Sequence, residues 1–68
     1  MLKISNEDYS FLEEEYPEAI DSIKKGDLRE TLIKLFEKIV YYTSDEEGLS
    51  EEGRKFDEIY TRLYNDND

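Results

Sequence analysis

Apolar side chains recur along this chain at intervals of three and four residues, the spacing of helices with one buried face. Tyr9, Leu12 and Tyr16 form a first stripe, with Phe11 at its margin. Ala19, Ile20 and Ile23 continue in the same register. Leu28, Leu32, Leu35, Phe36, Ile39 and Val40 make a third stripe, which Ile33 widens to nearly half the circumference. Phe56, Ile59, Tyr60, Leu63 and Tyr64 make the last. A helix apolar over as much of its surface as the third has neighbours on two sides, so it is expected at the centre.

Punctuation divides the stripes. Ser5 is placed to cap the first helix, with Asn6, Glu7 and Asp8 near its positive end. Within "EEEYPEAID", residues 13 to 21, the apolar register runs through Pro17 unbroken, as in one kinked helix. Local chemistry argues for two. A mid-helix proline lacks a donor and clashes with the preceding turn at a cost of ~3 kcal/mol, and it disfavours the α conformation at Tyr16. "PEAIDSIKKG" also has the order of a complete short helix, with proline first, acids early, lysines late and glycine beyond the end. Asp27 and Glu30 in "DLRE" form a capping-box pattern for the third helix, and Glu30 precedes Lys34 by one helical turn. "TSDEEGLS" reads as loop, and Ser50 caps a fourth helix with Glu51 and Glu52 in its first turn.

The expected fold is therefore all-α, a small compact bundle of about four helices spanning roughly 6–15, 17–25, 28–42 and 51–64, in a single domain 1–68 with a frayed tail at 65–68. A core this small rarely supplies more than about 3–5 kcal/mol of net stability. Cysteine and histidine are absent from the 68 residues, so no disulfide and none of the usual zinc or haem ligand sets can add to it. No segment is apolar and long enough for a signal peptide or a membrane span, which gives the expectation of a cytoplasmic protein with no membrane partner.

Charge changes the picture most. Nineteen acidic against nine basic residues leave a net −10, which disfavours direct binding to nucleic acid or an anionic membrane. The imbalance is 7 acids to 3 bases over 1–26, even at 3 to 3 over 27–43, and 9 to 3 over 44–68. Without histidine or cysteine the commonest general base and the best nucleophile are missing, and the three glycines are isolated rather than gathered in a phosphate loop. Glu13, Glu14 and Glu15 read as a solvated helix end rather than an acid–base pair, which would need burial to separate its pKa values. In the 43–54 segment, alignment of Gly48 on the glycine of a calcium loop puts Thr43 first and Arg54 last, where carboxylates are required. Neither a catalytic residue nor a cofactor or metal site is expected. Most tyrosines fit core edges with their hydroxyls at the surface. Tyr41 instead points to the polar side of the third helix, and with Asp45, Glu46 and Glu47 it makes the candidate partner-binding set.

"FLEEEYPEAI" and "LSEEGRKFDEIYTRLY" resemble the transposon-transfer-assisting proteins, short acidic proteins of Firmicutes conjugative transposons. The resemblance implies an all-helical cytoplasmic accessory of a mobile element, and it carries over no functional residue. Combined with the charge, it gives the expectation of a non-enzymatic adaptor for a basic protein. The alternatives are a DNA mimic of antirestriction type and an immunity protein against a basic toxin. Acids concentrated at both ends of the chain around a neutral middle fit the extended carboxylate rows of a mimic less well than they fit an adaptor.

If Pro17 opens a helix, Pro17→Ala changes stability by about 1 kcal/mol or less, because only a pre-set backbone angle is lost. A kinked continuous helix would regain a hydrogen bond and gain clearly in melting temperature. Thermal denaturation of the two proteins separates these outcomes.

Overall fold

The computed structural model describes residues 1–44 and 48–67. Four helices follow the expected punctuation: α1 (Asn6–Glu15), α2 (Pro17–Lys25), α3 (Leu28–Tyr41) and α4 (Glu51–Asn67). Ser5 Oγ accepts from Asp8 N at 3.1 Å, and Ser50 Oγ accepts from Gly53 N at 3.2 Å. Tyr16 ends α1 with φ −150° and ψ 69°, outside the helical region, and Pro17 is the first residue of α2. The proline therefore separates two helices. Gly26 closes α2 in the left-handed region at φ 78°, with Gly26 N donating to Ile23 O and Asp27 N to Ser22 O. That double bond pattern is a Schellman motif, and it needs a residue without a Cβ penalty. It also takes Asp27 N, so only half of the expected capping box forms: Asp27 Oδ1 accepts from Glu30 N at 3.1 Å. Glu30 turns instead toward Lys34, 3.8 Å away.

α3 lies between α2 and α4. Leu12, Ala19, Ile20, Ile23, Leu35, Phe56, Ile59 and Leu63 are buried and make the core. Phe56, 1% exposed, collects three other rings: Phe11 at 5.2 Å and Tyr16 at 6.3 Å edge-on, and Tyr42 stacked at 5.9 Å. The chain thus runs up and down. One end of the bundle holds the α1–α2 joint, the end of α3 and the start of α4. The other end holds the N-terminal segment, the α2–α3 turn and the end of α4.

Three expectations are corrected. The 43–50 segment is not all loop, because Thr43–Ser44 (β1) and Gly48–Leu49 (β2) pair antiparallel, Thr43 opposite Leu49. The ladder continues with Ser50 N donating to Tyr42 O at 3.3 Å. Residues 65–67 are not a frayed tail, since α4 runs through Asn67. The Asn67 side chain accepts from Lys3 N at 2.7 Å and donates to Lys3 O and Leu63 O, while Leu2 N donates to Ile23 O. The amide pins the N-terminal segment across the bundle as a neighbouring strand would. Finally, the wide stripe of α3 is not all covered: Ile33, Phe36 and Val40 remain 51%, 56% and 56% exposed. Of the apolar stripe, Leu28, Leu32, Leu35 and Ile39 pack against the core.

Polar contacts fix how the helices meet. Ser22 of α2 and Thr31 of α3 are buried with their hydroxyls 2.7 Å apart. Ser22 Oγ also reaches Ala19 O at 2.9 Å, and Thr31 Oγ1 reaches Asp27 O at 2.8 Å. Two hydroxyl protons serve these three contacts, so one contact is without a proton at any instant. Asp8, 5% exposed, holds Arg62 in a two-pronged pair at 2.9 and 2.8 Å across 54 residues of sequence. The pair raises the Arg62 pKa, through hydrogen bonding to Asp8 and against the opposing effect of burial.

The two partners differ in burial, which sets an asymmetry. Arg62→Met strands a carboxylate that is 7% exposed and is expected to cost about 2–4 kcal/mol. Asp8→Asn releases a guanidinium already 48% exposed and is expected to cost about 1 kcal/mol. Urea denaturation of both variants checks the order.

Candidate partner-binding site

The hairpin end of the bundle gathers charge and aromatic surface from segments far apart in sequence. α1 finishes in Glu13, Glu14 and Glu15, all exposed, with no basic residue in its last turn. That arrangement sets negative charge at the negative end of a helix, which is unfavourable locally. α4 starts at the same end with exposed Glu51 and Glu52, where its positive end favours them. Between them stands Tyr42, whose ring is half-buried against Phe56. Hydrogen bonding to Glu52 is the main cause of a raised Tyr42 pKa, followed by burial, by the negative field of Glu52, by Tyr41 once ionised, and by the negative field of Glu15. Glu15 and Glu52, distant in the chain, therefore act on one phenol.

Tyr41 is 75% exposed beside this cluster and packs edge-on against Tyr42 at 5.0 Å. Lys38 Nζ lies 4.9 Å from the centre of the Tyr16 ring and 5.8 Å from that of Tyr41. The aromatic faces here already attract a cation. An open depression of about 320 Å³ is lined by Phe11, Glu51, Glu52 and Lys55. Lys55 Nζ sits 5.7 Å over the Phe11 ring. Tyr16 also has a raised pKa, first from burial and then from the charges of Glu37 and Glu18.

Of the candidate residues, Tyr41 falls at this end and is available to a partner. Asp45, Glu46 and Glu47 lie outside the described residues, between the paired segments Thr43–Ser44 and Gly48–Leu49. Sequence reasoning missed Tyr42, Glu15 and Glu52 as one group. The single signal for it was that α1 and α4 both place acids at the ends that the two-helix reading of Pro17 brings near one another. Among the described residues, no group of three or more metal-ligating side chains converges. The arrangement offers carboxylates for a lysine or arginine and a ring face for its cation. Comparison with known protein families, curated proteins and solved structures gives no match to this chain.

The raised Tyr42 pKa sets the sign of an alkaline effect. As pH passes about 10, the unfolded phenol ionises before the folded one, so the native state holds more protons and stability falls. Tyr42→Phe lacks that loss. The stability advantage of the parent over this variant is expected to shrink above about pH 10, as measured by urea midpoints across the alkaline range.

Proposed function

We propose that this protein is a non-enzymatic adaptor that docks a basic segment of a partner protein on its hairpin end. The observation that carries this reading is that exposed Glu13, Glu14 and Glu15 at the end of α1, exposed Glu51 and Glu52 at the start of α4, and exposed Tyr41 share one end of the bundle. Carboxylates brought together from two helices attract a cationic partner at long range, and an exposed tyrosine beside them supplies the apolar anchor that charge alone lacks. The opposite end of the bundle does not compete, because among the described residues Lys3, Lys24, Lys25, Arg29 and Arg62 there offset Glu7, Asp8, Asp27, Glu30 and Asp66. No helix among the described residues is long and apolar enough to cross a membrane. The resemblance to transposon-transfer-assisting proteins adds the setting: a cytoplasmic accessory of a conjugative transposon, with a basic protein of the transfer machinery as its partner.

The test begins with what co-purifies with the tagged protein from its host, followed by association kinetics with that protein. A basic transfer protein supports the adaptor, whereas a restriction subunit supports the DNA mimic. Association is expected to slow with salt, as screening shortens the reach of charge to about 8 Å at 0.15 M. Asp45→Asn, Glu46→Gln and Glu47→Gln together should slow it further at low salt without moving the unfolding midpoint. Tyr41→Ala should act mainly by speeding dissociation. Association of the triple variant at the parent rate would reduce these charges to a solubilising run.

A further inference from the structure

The exposed strip on α3 runs along that helix from Ile33 to Val40 and is unlike the rest of the surface. Three of the six large apolar side chains most exposed among the described residues, Ile33, Phe36 and Val40, sit on it. It belongs to residues 27–43, where three acids and three bases balance. Arg29, Ile33 and Glu37 are spaced four residues apart, so they form one ridge of the helix about 12 Å long with a cation at one end and an anion at the other. Both charged residues are exposed, and among the described residues neither takes part in an ion pair.

We infer that this face docks a second copy of the chain, with the two α3 helices antiparallel and Ile33 near the two-fold axis. The ridge is then its own complement: Arg29 of each copy meets Glu37 of the other, while Phe36 packs beside the axis and Val40 lies about two turns from it. The orientation follows from charge as well. A parallel pair would bring the two strongly acidic hairpin ends together, whereas the antiparallel pair sends them to opposite extremes and sets each beside a charge-balanced end. A single helix face is well below the roughly 800 Å² per partner of a standard interface. The dimer is therefore weak, forming at concentrations on the order of 0.1–1 mM. It presents two acidic ends facing apart, so a partner with two basic segments, or two partners, would gain by avidity.

Sedimentation equilibrium on the full chain tests this without any other protein. The parent is expected to pass from monomer to dimer between about 10 µM and 1 mM. Arg29→Glu alone sets glutamate against glutamate across the axis, and Glu37→Arg alone sets arginine against arginine, so each variant should stay monomeric. Mixed one to one, they restore both pairs and should associate at least about tenfold more tightly than either does alone. Far-UV circular dichroism of each variant verifies that the helices are retained. A parent that remains monomeric throughout, or a mixture no tighter than its components, overturns the proposal. A monomeric parent would leave the strip to a different partner without touching the reading of the hairpin end.

Discussion

Phe56 is the contact on which the rest of the structure depends. Its buried ring receives Phe11 of α1, Tyr16 of the α1–α2 joint and Tyr42 at the end of α3, so one side chain of α4 ties together every turn at the hairpin end. Edge-on and offset ring pairs of this kind add about 0.5–1.5 kcal/mol each beyond the area they bury. Against a core of a size that rarely supplies more than about 3–5 kcal/mol of net stability, that is a large share. The same packing holds Tyr42 at the end of the bundle where α1 finishes in Glu15 and α4 begins with Glu51 and Glu52.

The opposite end is held by polar rather than aromatic contacts. The Asp8–Arg62 pair joins α1 to α4, the Ser22 and Thr31 hydroxyls join α2 to α3, and Asn67 clamps the N-terminal segment. Each fixes a register that an apolar core of smooth leucine and isoleucine surfaces leaves open. The buried hydroxyls lack the protons to satisfy all their contacts at once, so their net contribution is modest and their role is to set position.

Stability and proposed function pull against each other at the hairpin end. Glu13, Glu14 and Glu15 stand where the α1 dipole is negative, an arrangement that costs a few tenths of a kcal/mol per charge on an exposed helix. Among the described residues none of the three takes part in an ion pair. The same charges provide a long-range field for a basic partner. The exposed strip of α3 is a comparable exception, since the apolar side chains on that face leave about half their surface in water within one copy.

The helices were legible in the residues because their determinants are local. Ser5, Pro17, Gly26, Asp27 and Ser50 act within one turn, and a proline that cannot donate separates α1 from α2 whatever surrounds it. The all-α bundle follows from stripes of helical period in the same way. Which parts of those stripes would be covered was not legible: Ile33 and Leu35 look alike in a sequence, and only the directions of α2 and α4 left one exposed and the other buried. The same holds for Asn67, polar enough to read as tail until Lys3 is brought beside it, and for Arg62, an ordinary surface cation until Asp8 arrives. Tyr41 could be marked from its place on the helix, whereas the grouping of Glu15, Glu52 and Tyr42 could not. Periodicity and capping are short-range properties of the chain, while a pairing across tens of residues exists only once packing has chosen which faces meet.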